Sequence, residues 1–101
     1  MIKLFNERKD TLKCLHLDGY DLTDESYRHL HVCQNLQELK ISNCQNMNKT
    51  AISAISKLHN LKTLTLIIWG EESIGVIEDD FISMIGELKN LLDIEFRYGF
   101  M

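Results

Sequence analysis

The sequence predicts an α/β fold in which short strands alternate with helices and form one parallel sheet. Three observations support this prediction. A six-residue pattern, apolar at its first, fourth and sixth positions, occurs four times, as LKCLHL at 12–17, LQELKI at 36–41, LKTLTL at 61–66 and LLDIEF at 91–96. The four starts are separated by 24, 25 and 30 residues. Apolar residues at intervals of three precede the last three starts, as on one stripe of a helix.

The middle of each pattern predicts a strand. In ELKIS, residues 38–42, apolar Leu39 and Ile41 alternate with polar residues that include Glu38 and Lys40. Alternation of this kind is typical of a half-buried strand. We therefore expect Leu39 and Ile41 to face a core and Glu38 and Lys40 to face outward.

The stretch before each new start predicts a helix. Apolar residues lie fourteen, nine, six and three positions before each start, and an asparagine lies immediately before it. The apolar positions are Leu22, Tyr27, Leu30 and Cys33; Met47, Ile52, Ile55 and Leu58; and Ile77, Ile82, Ile85 and Leu88. Each repeat is thus expected to be a strand, a loop, a helix and a return.

The chain is predicted to form a single domain over residues 1–101, with repeats starting near 12, 36, 61 and 91. Residues 1–11 match the pattern only at Ile2, Leu4 and Phe5, and we expect them to be the remnant of a preceding helix or cap. The third repeat is longer. Its extra residues are expected in a loop around IIWGEESIG, residues 67–75, because such arrays accommodate insertions in loops.

Residues 12–61, and especially the stretch LTDESYRHLHVCQNLQELKISNCQNMNKTAISAISKLHNLKTLTL, resemble the cysteine-containing repeats of F-box/leucine-rich-repeat proteins. The L-x-x-L-x-L pattern with a period in the twenties is the signature of leucine-rich repeats. Cys44 matches the loop cysteine of that family, Thr23 and Asp24 match its Thr-Asp pair, and Cys33 matches its helix-end cysteine. The other repeats depart from the family pattern at the cysteine positions, with Tyr20, Trp69 and Gly99 in the loops and Leu58 and Leu88 at the helix ends.

The resemblance implies a short right-handed leucine-rich-repeat solenoid, with the parallel sheet on the concave face and the helices on the convex face. It also implies a protein–protein interaction module, the substrate-recognition part of an F-box-like ubiquitin-ligase receptor. The F-box itself is not expected here, because the chain begins inside a repeat. The alternative is a non-catalytic scaffold or inhibitor module that binds an enzyme or a cytoskeletal protein.

The outward-facing strand residues are expected to line the concave face in three rows, a surface that solenoids commonly use for binding. The rows are Cys14, Glu38, Thr63 and Asp93; His16, Lys40, Thr65 and Glu95; and Asp18, Ser42, Ile67 and Arg97. The predicted partner-binding residues are Glu38, Lys40, Ile67 and Arg97, with Tyr20 and Trp69 at the rim. The mixed charges fit a protein surface better than a polyanion.

Bulk composition excludes several other partners. The net charge of −4 without a basic stripe argues against nucleic acid. There is no run of 18 apolar residues, so no membrane span is expected. Three cysteines, an odd number, without a signal peptide indicate free thiols in a reducing, intracellular compartment, cytoplasmic or nuclear.

One group of residues close in the sequence could suggest a zinc site. His29, His31 and Cys33 are close in sequence, but a zinc site needs further ligands at a suitable distance. Cys33 falls on the core stripe, and Cys14 and His16 are predicted on a strand that faces away from this helix. No metal and no cofactor are expected.

Cys14 and His16 also alternate onto one strand face with Asp18, as a nucleophile, a base and an orienting acid would. The spacing arises easily by chance, and no pocket or oxyanion donor accompanies it. The chain is therefore not expected to be an enzyme.

The last predicted strand, in residues 91–101, is followed by no helix and carries Phe96, Tyr98 and Phe100. An open sheet edge can recruit another chain. A homodimer through residues 91–101 is the expected consequence.

Overall fold

Helices and strands alternate in the computed structural model, which describes residues 2–19, 22–44, 49–69 and 74–99. The four helices of these ranges are α1 (Ile2–Arg8), α2 (Asp24–Leu30), α3 (Lys49–Ser56) and α4 (Ile74–Glu87). The four strands are β1 (Cys14–Asp18), β2 (Glu38–Cys44), β3 (Thr63–Trp69) and β4 (Asp93–Gly99). The predicted order of elements is confirmed.

The four strands form one parallel sheet in the order β1-β2-β3-β4, which confirms the predicted α/β class. Parallel neighbours cannot be joined by a tight turn, and here a helix lies between each strand and the next. The helices contact one another in chain order: α1 contacts α2, α2 contacts α3 and α3 contacts α4. Elements adjacent in the chain are therefore adjacent in space.

The core lies between one face of the sheet and the helices. Leu39 and Ile41 of β2 and Leu64 and Leu66 of β3 are fully buried, as predicted. The matching positions of the outer strands are less covered, with Leu17, Ile94 and Phe96 only partly buried. This difference arises because an edge strand has a neighbour on one side only.

The predicted helical stripe is confirmed in the first two helices that carry it. Its buried members are Leu22, Tyr27, Leu30, Cys33, Ile52, Ile55 and Leu58, whereas Met47 lies outside the described residues. The helix end at Leu88 is buried as well. A side-chain cap also helps to define α2, since the Thr23 hydroxyl accepts a 3.2 Å hydrogen bond from the Ser26 amide.

The stripe prediction is wrong for Ile82 and Ile85 of α4, whereas the side chain of Ile77 lies outside the described part of the structure. Ile82 is 63% exposed and Ile85 is 36% exposed, while Met84 is buried. Met84 faces α3, where it lines a groove together with Ile52. Ile85 borders an open groove that Leu92 and Ile94 also line, and Ile82 is more exposed.

The predicted conformation of the extra residues in the third repeat is also wrong, because they are helical and do not form a loop. α4 has 14 residues, against 7 in α2 and 8 in α3. The interval between strand and helix is no longer than before, since β3 ends at Trp69 and α4 begins at Ile74, while β2 ends at Cys44 and α3 begins at Lys49. The insertion lengthens the helix instead of the loop, and the absence of proline permits this.

The asparagine before each pattern has the same role in all three repeats. Its side-chain amide donates to a backbone carbonyl of the preceding repeat: Asn35 to Asp10 at 2.8 Å, Asn60 to Gln34 at 2.8 Å and Asn90 to His59 at 2.9 Å. Each bond links two adjacent repeats at the turn that leads into the strand. The repeated asparagine is thus a structural residue.

Helix α1 contacts α2 and contributes one residue to the hydrophobic core. Phe5 is fully buried, whereas Leu4 is 44% exposed. The Cys33 thiol lies 4.0 Å from the Phe5 carbonyl oxygen. The helical form expected for residues 1–11 is therefore found over Ile2–Arg8.

Candidate functional site

The outward face of the sheet carries the side chains singled out from the sequence. Strand pairing aligns the first row as Cys14, Glu38, Thr63 and Asp93, and the second as His16, Lys40, Thr65 and Glu95. The third row is interrupted, because the β2–β3 register shifts between Ile41 and Cys44. Within this shift Asn43 has a φ of 55°, a left-handed conformation that asparagine tolerates better than most residues. Two of the three predicted rows are therefore continuous.

The predicted partner-binding residues lie on three of the four strands. Glu38 and Lys40 are half-buried on β2, while Ile67 of β3 pairs with Arg97 of β4. The Arg97 guanidinium donates to the carboxylate of Glu95 on the same strand. This pairing places acidic and basic groups side by side on the exposed face.

The two rim residues cannot be placed as fully. Tyr20 lies outside the described residues. Trp69 is the last residue of β3, where it pairs with Gly99, but its side chain lies outside the described part of the structure. Their predicted role at the rim stays a prediction.

The tightest polar cluster on this face joins Cys14, His16 and Glu38. The Cys14 thiol donates to Glu38 Oε2 over 2.8 Å, and His16 Nε2 lies 2.9 Å from the same oxygen, in position to donate. Cys14 Sγ and His16 Nε2 are 3.7 Å apart. Alternation along β1 puts the first two side chains on one face, and the β1–β2 register brings Glu38 directly beside Cys14.

The cluster changes the acidity of two of its members. The pKa of the Cys14 thiol is raised, chiefly because it donates a hydrogen bond to Glu38, then by partial desolvation and by the negative charge of that carboxylate. The pKa of Glu38 is lowered, chiefly by the hydrogen bonds from Cys14 and His16. Lys40 contributes a smaller favourable charge to Glu38. At neutral pH the thiol is therefore protonated, unlike an activated nucleophile.

The acid of this cluster comes from the next strand. Asp18 follows Cys14 and His16 on the same face of β1, but its carboxylate accepts a 3.2 Å hydrogen bond from the side-chain amide of Asn43. Glu38 takes that place from the next strand. The signal was present in the sequence, because Glu38 follows Cys14 by one repeat length and so stands opposite it.

The other histidine and cysteine group does not come together. His29 Nδ1 is 2.9 Å from the Glu25 carbonyl oxygen, and His31 Nδ1 bonds to the Arg28 carbonyl oxygen. Cys33 is fully buried in the core. Each of the three side chains thus has a local structural partner or environment.

No protein-family model, curated protein or solved structure matches the chain. Among the described helices, none has the length and apolar character needed to cross a bilayer. The function of the exposed sheet face is therefore inferred from its own residues.

Proposed function

We propose that the chain is a leucine-rich-repeat module and that its units form a short right-handed solenoid, with the sheet concave and the helices convex. Repetition of the same backbone contacts supports this proposal. One carbonyl of each repeat accepts two amides of the next: Lys13 from Gln37 and Glu38, Gln37 from Lys62 and Thr63, and Lys62 from Leu92 and Asp93. Repeat proteins are stabilised by contacts of this kind between nearest neighbours.

The proposed activity is recognition of a protein partner, without a catalytic step, in a reducing intracellular compartment. The observation that carries it is the outward face of the sheet, where strand pairing holds two continuous rows of side chains of both charge signs. Because strand pairing already orders the backbone of this face, binding does not have to order it, which lowers the entropic cost of association. In its specific form, the chain is the substrate-recognition part of an F-box-like ubiquitin-ligase receptor.

Glu38, Lys40, Ile67 and Arg97 are the proposed contact residues. They combine both charges with one apolar side chain, which fits the mixed surface of a folded protein or peptide. Tyr20 and Trp69 are proposed as rim residues, since Tyr and Trp are enriched among residues that dominate binding energy. A polyanion would instead require a basic surface.

The proposal is tested by quantitative affinity capture from cell extract with three immobilised proteins. These are the wild type, a sheet-face variant and a helix-side variant, each first shown to be folded. The sheet-face variant carries Lys40→Ala and Arg97→Ala, and the matched helix-side variant carries His29→Ala and His59→Ala. The helix-side variant should retain the same proteins as the wild type, and the sheet-face variant should lose them. Loss by the helix-side variant alone would contradict the proposed surface.

A second experiment separates the F-box-like form from the alternative, a scaffold or inhibitor module. The chain is fused to an F-box segment, and ubiquitylation of a captured protein is measured in a reconstituted ligase reaction. Ubiquitylation that requires Lys40 and Arg97 is expected for a substrate receptor. A captured enzyme that loses its activity on binding, without ubiquitylation, would instead identify an inhibitor module.

A further inference from the structure

We propose that Cys14, His16 and Glu38 form a binding site for one Zn²⁺ ion on the outward face of β1 and β2. This proposal does not depend on the proposed recognition function. The proposed ligands differ from His29, His31 and Cys33, the group that is close in the sequence. Glu38 joins Cys14 and His16 through the pairing of β1 with β2.

The ligand atoms are already close to the separations that zinc requires. Cys14 Sγ, His16 Nε2 and one Glu38 carboxylate oxygen all lie within 4.8 Å of one another. In tetrahedral coordination, bonds of ~2.0–2.3 Å place ligand atoms roughly 3.3–3.6 Å apart. The observed separations are 2.8, 2.9 and 3.7 Å. A shift of about 0.5–1 Å at the Glu38 carboxylate would accommodate the ion between all three atoms.

The backbone that supports the three ligands is regular. Cys14 and His16 are two residues apart on β1, so their side chains leave the sheet in the same direction. Glu38 is the direct partner of Cys14 across the parallel β1–β2 pair. Ligands on paired strands are held more accurately than ligands on loops.

The hydrogen atoms that point at Glu38 Oε2 occupy the space in which a cation would bind. Two hydrogens, from the thiol and the imidazole, are directed at one carboxylate oxygen. When Zn²⁺ binds, it takes their place: the thiol proton leaves to solvent, the thiolate coordinates, and neutral His16 coordinates through Nε2 with its hydrogen on Nδ1. The thiolate and carboxylate then balance the charge of the ion, and Lys40 is the nearby cation that opposes binding.

The donor set selects the metal. A thiolate, an imidazole and a carboxylate are all common zinc ligands, whereas Mg²⁺ and Ca²⁺ prefer oxygen ligands alone. The His16 and Glu38 side chains are 59% and 44% exposed. Water can therefore occupy the fourth coordination position, as in other zinc sites with three protein ligands.

Cobalt titration of the chelator-treated 101-residue chain tests the proposal, because Co²⁺ reports tetrahedral geometry and thiolate ligation in its absorption spectrum. The wild type should bind one equivalent and show a thiolate-to-cobalt charge-transfer band that Zn²⁺ abolishes. Cys14→Ser should remove the band. Competition with a chromogenic chelator measures the affinity for zinc. His16→Asn and Glu38→Gln should each weaken that affinity more than about 100-fold, because even residues that only hydrogen-bond to a metal ligand contribute ~10–100-fold to metal affinity.

Three control variants retain the proposed ligands. His29→Asn removes an exposed histidine that bonds within its own helix, Glu95→Gln removes another carboxylate of the same face, and Cys44→Ala removes another thiol. All three should bind cobalt and zinc as the wild type does. A folded wild type without the charge-transfer band, or a band that survives Cys14→Ser, would overturn the proposal, as would equal weakening in the controls.

Discussion

Gly19 lies directly against the backbone of Asn43, at the end of β1 and beside the irregularity in β2. A Cβ added at Gly19 would be 2.5 Å from the Asn43 carbonyl oxygen and 2.8 Å from its carbonyl carbon. The side-chain amide of Asn43 also donates a hydrogen bond to the Asp18 carboxylate, which reinforces this contact between β1 and β2. Because the atoms in the way belong to the backbone, they cannot make room unless β1 and β2 move apart.

We expect Gly19→Ala to lower the free energy of unfolding by about 1–3 kcal/mol, the usual cost of overpacking. Gly86→Ala is the matched control, because nothing lies within 4 Å of a Cβ there and the site is in helix α4. Alanine in place of a helical glycine should stabilise by about 0.5–1 kcal/mol. Chemical denaturation measures both changes. A Gly19→Ala variant as stable as the wild type would show that the contact is not close in solution.

The buried and exposed positions of the central strands should respond very differently to truncation. Leu39→Ala and Leu64→Ala should each cost about 2–5 kcal/mol of stability, because both side chains are fully buried. Lys40→Ala and Thr65→Ala, the adjacent outward-facing positions, should each stay within about 0.5 kcal/mol. Equal sensitivity at the two sets, measured by urea denaturation, would contradict the assigned faces.

Replacing the repeated asparagine by aspartate, which has nearly the same size, should lower the free energy of unfolding. Asn60→Asp removes the amide that donates to the Gln34 carbonyl and places a carboxylate near that oxygen. The expected loss of stability is about 0.5–1.5 kcal/mol, the net value of one hydrogen bond, with repulsion in addition. Lys62→Ala, an exposed change two residues away, should stay within about 0.5 kcal/mol. If the two variants unfold at the same denaturant concentration, the linking role of Asn60 is wrong.

The acidity of Cys14 can be tested by alkylation of the metal-free protein. The bond to Glu38 raises the thiol pKa, so at a given pH less thiolate is present than for an ordinary cysteine. Glu38→Gln removes the negative charge, and the midpoint of the rate–pH profile should move to lower pH. Peptide mass spectrometry follows the adduct at Cys14, and Glu95→Gln is the control. An unchanged midpoint in Glu38→Gln would show that the bond does not persist in solution.

Self-association through residues 91–101 remains a prediction, and the structure suggests a sharper test of it. Leu92 is 82% exposed beside the edge strand β4, close to the exposed side chain of Ile85. We expect the wild type to dimerise with rising concentration and Leu92→Lys to remain monomeric, because the lysine introduces a charge at an apolar contact. Light scattering over a wide concentration range measures this, with Lys89→Ala as the control. A wild type that stays monomeric at the highest concentration rules out the dimer.

The class of fold and the first two buried stripes followed from the sequence because periodicity reports directly which face of an element is covered. Leu39, Ile41 and Leu64 illustrate this for strands, and Leu30 and Ile55 for helices. The predictions of burial were wrong where the burial of a side chain depends on which elements pack beside its helix. Ile82 and Ile85 have the expected spacing, yet they are exposed, because among the described helices α3 is the main neighbour of α4 and that side of the helix buries Met84 instead.

The sequence by itself determined the number of strands in the described sheet, their order and two of the three rows of outward-facing residues. It did so because a repeat of nearly constant length places equivalent positions side by side. The tertiary structure decided that Glu38, and not Asp18, joins Cys14 and His16, because β1–β2 pairing places Glu38 directly beside Cys14 whereas the Asp18 carboxylate accepts from Asn43. It also decided that Gly19 must remain without a side chain. That requirement comes from the backbone of Asn43, which is 24 residues away in the chain and in contact only after β1 and β2 have paired.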